Sequence, residues 1–220
     1  MVATPSSHPA SASTDAASAP VYRSASGAPS HASGFGFGRE GPVGDALAAA
    51  QAGSDIAFAQ LIRAHERSVY SVALRALGSS AEAEELAQDV FLQLYLDLPR
   101  LTSADHLGYW LRRTVSHRVI DRLRQRERRP STRPLEPEEC ASLANGAFEP
   151  ADPDPLLARR VAELLAELAA VPRLVLILRF QEDLDPLEIA RVLDISVNTV
   201  KSHLKRALAR LRAELGEEGS

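Results

Sequence analysis

The stretch 184–212, "LDPLEIARVLDISVNTVKSHLKRALARLR", decides the fold. Two short segments with helical spacing flank a tight turn. Ile189, Ala190 and Leu193 form the inner face of the first, with Ala190 small where two helices must approach closely. Ile195 plugs the turn, and Ser196 can cap the second helix by accepting a backbone N–H bond. Val197, Val200, Leu204, Leu208 and Leu211 bury the second helix against the first. Asn198, Thr199, Lys201, Ser202, Lys205, Arg206 and Arg210 are left facing outward. This is a helix-turn-helix whose second helix suits the major groove of DNA. Lys and Arg neutralise phosphates, Asn pairs with adenine edges, and Ser or Thr bonds to either. Residues 196–212 hold five basic residues and no acid. A helical hairpin with a solvated basic face is the plain alternative, but turn, cap, small residue and one-sided charge coincide only in the DNA-binding reading.

Upstream of this motif, the spacing predicts amphipathic helices over 156–170 and 172–180, and the pair 186–193 and 197–215 completes a small helical domain, 156–215. Residues 130–155 carry six prolines and the acids Glu136, Glu138, Glu139, Glu149, Asp152 and Asp154. Spaced prolines preclude a continuous helix and the acids repel one another, so the segment reads as a linker. About 25 flexible residues span about 27 Å. Its opposite charge lets it fold back on a basic helix as easily as extend.

A second helical domain, 46–129, precedes the linker. Phe58, Leu61, Ile62, Val69, Val72 and Ala73 recur at helical spacing, with His65 on the same stripe as a packed residue. Gly78 ends that helix. Ser79 and Glu82 form the pattern of a capping box for the next, which buries Ala83, Leu86, Val90, Phe91 and Leu94. Its other side, Glu84, Glu85, Gln88 and Asp89 edged by Leu92, does not suit DNA and reads either as a protein-binding face or as a solvated one. After Pro99 a polar connection leads to a third helix, 106–129, with Leu107, Leu111, Val115 and Val119 as its core stripe. Residues 111–133 contain nine arginines against Asp121 and Glu127, a local net charge of +7 inside a chain whose net charge is −4. Trp110, Arg113, His117, Asp121 and Arg124 lie close to one stripe, with Tyr109 adjacent. Aromatic groups beside a basic face can stack on unpaired bases while Arg tracks the backbone. The competing reading makes Trp110 a core residue and the arginines a solvated face.

Residues 1–45 are rich in Ser, Ala, Pro and Gly and read as a disordered tail, Phe35 and Phe37 included. No strand pattern occurs, so the fold class is all-α. The single cysteine, Cys140, forms no internal disulfide, and no Cys/His cluster has metal-ligand spacing. No glycine-rich phosphate loop, HExxH or nucleophile elbow is present, so neither a cofactor nor an enzymatic activity is expected. No run of eighteen apolar residues spans a membrane, and the N-terminus lacks the pattern of a secretory signal, so a cytoplasmic location is expected.

The segments "LIRAHERSVYSVALRALGSSAEAEELAQDVFLQLY" (61–95) and "YWLRRTVSHRVIDRLRQRERR" (109–129) resemble region 2 of the extracytoplasmic-function (ECF) sigma factors, and "RLVLILRFQEDLDPLEIARVLDISVNTVKSHLKRALARLR" (173–212) resembles their region 4. The ordered pair with a linker between is far more specific than either half. The resemblance implies a subunit that brings core RNA polymerase to promoter DNA. It implies that Glu85, Gln88, Asp89 and Leu92 bind the polymerase. Trp110, Arg113, His117, Asp121, Arg122 and Arg124, with the connection from Pro99 to His106, would recognise and help melt the −10 element. Asn198, Thr199, Lys201, Ser202, Lys205 and Arg206 would read the −35 element, and an anti-sigma protein would be the regulatory partner. The chain departs from the family pattern at His117 (often Asn), Leu174 (often Glu), Asp194 (often Gly) and Leu168-Ala169 (often Leu-Pro). Without the resemblance, a helix-turn-helix regulator with an N-terminal sensor or dimerisation module remains the alternative.

Overall fold

The computed structural model describes residues 42–128 and 155–216. The tail through residue 41, nearly all of the linker with Cys140, and the last four residues lie outside the described residues. Among the described residues all regular structure is helical: α1 (Pro42–Gln51), α2 (Asp55–Leu77), α3 (Ser80–Asp97), a 3₁₀ turn Leu98–Arg100, α4 (Ala104–Arg128), α5 (Pro155–Ala166), α6 (Ala170–Phe180), α7 (Pro186–Leu193) and α8 (Val197–Gly216).

The local signals for each boundary are visible. Ser54 caps α2 by accepting from the Ala57 N–H at 3.2 Å, and Gly78 closes it in the left-handed conformation, φ 72°, its N–H returning to the Leu74 carbonyl. Left-handed backbone favours glycine because no Cβ meets the preceding carbonyl. Ser79 caps α3, accepting from the Glu82 N–H, but Glu82 does not complete the expected capping box. Its carboxylate turns instead to Arg126 on α4. Ser103 accepts from the His106 N–H at 3.1 Å, and α4 starts at Ala104, two residues before the expected start at His106.

Two further boundaries differ from the sequence reading. That reading carries the tail to residue 45, but α1 begins at Pro42 and packs Ala46, Leu47 and Ala50 into the core beside α2. An Ala-rich segment has helix propensity but little contrast between its faces, so its period is faint. The helix expected over 156–170 stops at Ala166, and Ala169, in an extended conformation, starts α6 ahead of Pro172. Pro172 sits in the first turn of α6, where its missing N–H would have had no intrahelical partner.

Helices α1 to α4 pack around α2, and α6, α7 and α8 form the second group. The two groups are not separate bodies. α6 lies against both α2 and α4, and α7 against α4, so one apolar core runs from Ala46 to Val200. Leu174 and Leu178 of α6 are fully buried in it. A charged residue at 174 would oppose that burial.

Candidate nucleic-acid interface

The turn between α7 and α8 is built by three devices. Asp185 accepts from the Leu187 and Glu188 N–H groups at 2.7 and 2.8 Å, and Glu188 accepts from the Asp185 N–H at 2.8 Å. This reciprocal cap fixes the start of an eight-residue helix. Asp194 follows α7 with φ 57° and ψ 45°, one of two non-glycine residues with positive φ among the described residues. Asp tolerates this region better than most side chains. Ser196 accepts from the Thr199 N–H at 3.0 Å and caps α8 as its position predicts. Ile189 and Val200 are fully buried between the helices, and Ala190 is buried beside them.

On the opposite side of α8, Asn198, Lys201, Ser202, Lys205 and Arg206 are exposed. Thr199 is half-buried, its hydroxyl 2.8 Å from that of Ser196. Among the described residues no ion pair engages Lys201, Lys205 or Arg206. Arg210 behaves differently: it pairs with Glu167 in the α5–α6 turn, and Arg160 of α5 pairs with Glu214 at 3.3 Å. The far end of α8 is thus anchored to its own domain, while the near end presents its cations to solvent.

The α4 residues do not form one surface. Asp121 and Arg124 are exposed. Trp110 is only 3% exposed and belongs to the core, which corrects the expectation that its ring faces solvent for stacking. Tryptophan this deeply packed contributes apolar area first. Arg122, a −10 candidate by resemblance only, faces another helix. Its guanidinium reaches α3, 2.9 Å from Glu85 and 3.7 Å from Asp89, and Arg118 lies 3.5 Å from Asp89. With Glu82–Arg126 these pairs make a ladder joining α3 to α4. The hydrogen bond from Arg122 holds the Glu85 carboxyl below its usual range, although that group is exposed.

Arg113 and His117 lie under the end of α7. The Arg191 carbonyl, one of those left without an intrahelical partner, accepts from Tyr109 Oη and from Arg113, both at 3.1 Å. Arg113 is also 3.9 Å from the Asp194 carboxylate. Burial and then the charge of Arg113 push the His117 imidazole below its usual range, against the backbone of Val192 and the charges of Asp121 and Asp194.

On α3, Glu85, Gln88 and Leu92 are exposed and Asp89 is half-buried. The apolar rim extends beyond what the sequence reading selected. Tyr95 and Leu96 are 55% and 64% exposed, Ile56 at the start of α2 is 75% exposed, and the Phe58 and Tyr95 rings meet edge to face at 5.3 Å. Large exposed apolar side chains gathered on one face mark an interaction surface. The helical period of α3 could have flagged Tyr95 and Leu96, since both fall off its buried stripe.

A family model described as Sigma-70 region 2 matches residues 61–129, and one described as Sigma-70, region 4 matches residues 158–211. The ECF RNA polymerase sigma factor SigM of Mycobacterium tuberculosis (strain ATCC 25618 / H37Rv) is 31% identical over 183 residues, which cover 83% of this chain and 89% of SigM. The chain is an ECF RNA polymerase sigma factor. SigW of Bacillus subtilis (strain 168), another ECF sigma factor, is 27% identical over 74% of the chain and 91% of SigW. The solved structure of CnrH in complex with the cytosolic domain of CnrY is similar with a TM-score of 0.56 and 25% identity, over 82% of this chain and all of CnrH. RpoE of Bartonella quintana, solved with the anti-sigma factor NepR, shares the fold with a TM-score of 0.58, over 72% of the chain.

This sigma factor therefore binds RNA polymerase and promoter DNA and directs promoter-specific initiation. Its family works by binding, and catalysis is no part of the family role. Among the described residues no helix is long and apolar enough to cross a membrane.

Proposed function

We propose that this sigma factor divides its work among three surfaces. Region 4, residues 156–215, reads the −35 element as duplex through Asn198, Thr199, Lys201, Ser202, Lys205 and Arg206. The observation that carries this reading is the cluster of cations on α8, Lys201, Lys205 and Arg206, exposed beside a doubly capped turn and engaged in no ion pair among the described residues. Phosphate contacts position the helix, and Asn198, Ser202 and the cations at base edges discriminate sequence.

Region 2, residues 42–129, takes the −10 element through Arg113, His117, Asp121 and Arg124 together with the connection from Pro99 to His106. Trp110 supports α4 from within the core. Arg122 serves the other surface of region 2, since it orders Glu85 and Asp89. That surface, Glu85, Gln88, Asp89 and Leu92 with Tyr95 and Leu96, holds the polymerase by charge at one end and apolar burial at the other. Residues 130–154 act as the tether, with 1–41 as a tail. The protein works in the cytoplasm without catalysing a reaction. CnrH and RpoE were solved with CnrY and NepR bound, which supports an anti-sigma protein as the regulatory partner here too.

The test is transcription in vitro with core polymerase and genomic fragments. New start sites that need this protein, and its retention by immobilised core enzyme, are the expected results. Operator binding with no core association would favour the regulator reading instead.

A further inference from the structure

We infer that Gln51, at the end of α1, is a positioning residue for −10 recognition: with His106 of α4 it holds the Leu101–Thr102 peptide from both sides and presets the connection between α3 and α4. The consequence for DNA rests on the role proposed above for that connection; the clamp itself rests on geometry alone.

The connection carries an apolar anchor at every third position. Leu98, Leu101 and Ala104 are buried, while Pro99, Arg100, Thr102 and Ser103 are exposed. Such anchors fix where a segment sits but leave the peptide planes between them free to turn. Here one plane is held at both poles. Gln51 Nε2 donates to the Leu101 carbonyl at 2.7 Å, and the N–H of the same peptide unit, on Thr102, donates to His106 Nδ1 at 3.3 Å. The Thr102 hydroxyl lies 3.1 Å from the same ring nitrogen. Gln51 Nε2 also donates to the Leu98 carbonyl at 2.8 Å, which accepts the Leu101 N–H at 3.2 Å as well. A side-chain amide nitrogen carries two hydrogens, so both are used. The 3₁₀ turn and the residue after it are thus tied to α1 across about fifty positions of sequence.

These bonds lie at or near the surface, where water would otherwise serve the same groups, so they add little to stability. What they set is orientation. Thr102 and Ser103 line, with Asp45, Ala48 and Gln51, a cleft between α1 and the connection. A base taken out of the stack is captured best by walls already in place, because ordering a loop on binding costs affinity. α1 lies upstream of the residues matched to Sigma-70 region 2, 61–129, and none of its side chains belongs to the three surfaces proposed above.

The experiment uses the full chain with core polymerase and genomic promoter fragments that the wild-type holoenzyme transcribes. Each fragment is randomised in its −10 or its −35 element, and a barcode in the transcript reports the template used. Gln51→Leu and Gln51→Glu remove the donor and should reduce base selectivity at −10 by about fivefold or more, with −35 selectivity and the thermal midpoint little changed. In the free protein, amide hydrogen exchange at Leu101 and Thr102 should quicken about tenfold in Gln51→Leu. Gln51→Lys restores a donor and should keep most of the −10 selectivity. Unchanged −10 selectivity in Gln51→Leu overturns the inference. So does an equal loss at both elements, which marks a merely structural role, or a Gln51→Lys chain as poor as Gln51→Leu. Faster exchange in Gln51→Leu together with a wild type that selects no base at −10 would retain the clamp and overturn the −10 reading.

Discussion

His65 is 1% exposed in the middle of α2, and burial, followed by the charge of Arg112, pushes its imidazole down to about 4. The folded protein holds it neutral, whereas the unfolded chain protonates it near 6.5. Between those values the unfolded state binds the extra proton, so stability falls as pH falls through this window and is fully present above it. A difference of 2.5 pH units corresponds to about 3 kcal/mol at the limit, and to about 2.5 kcal/mol between pH 7.5 and 4.5. Glu182 works in the opposite direction. Burial raises its carboxyl against Arg112, Ser68 and Gln181, so it disfavours the folded state at neutral pH and favours it relatively as it protonates. Urea unfolding of the wild type and of His65→Leu at both pH values separates the two. The difference between the two proteins should change by about 2–3 kcal/mol on acidification, with His65→Leu the less sensitive. Parallel pH profiles for the two proteins would refute the assignment of a neutral, buried imidazole.

Asp185→Ala removes the acceptor for two N–H groups at the start of α7 and should cost about 1–2 kcal/mol, read as a lower thermal midpoint by circular dichroism, with Asp185→Asn recovering most of it. Lys201→Ala and Lys205→Ala should each weaken duplex binding and reduce the slope of log K against log salt by about 0.9 for every phosphate that is no longer neutralised, measured by anisotropy titration with the holoenzyme. Glu85→Lys reverses the charge facing Arg122 on an exposed site; retention by immobilised core polymerase should fall at least tenfold while the thermal midpoint shifts little. Asp194→Gly relieves a left-handed side chain at φ 57° and should raise stability by about 0.5–1 kcal/mol in denaturant titration.

Sequence alone determined what local chemistry controls. The helix-turn-helix, the Ser196 cap, the Gly78 stop and the outward cations of α8 depend on residues within a few positions of one another, and periodicity records them. The stripe on α4 was legible as a period, but the period could not say what each side chain meets. Only the packing sent Trp110 to the core, turned Arg122 toward Glu85 and brought Arg113 and Tyr109 onto a carbonyl about eighty residues away. Glu182 shows the limit most clearly: an acid in a polar turn reads as solvated, and its burial against Ser68 arises from residues 114 positions apart. Spacing along a chain fixes which face a side chain occupies, while the partner on that face is chosen by the docking of distant helices.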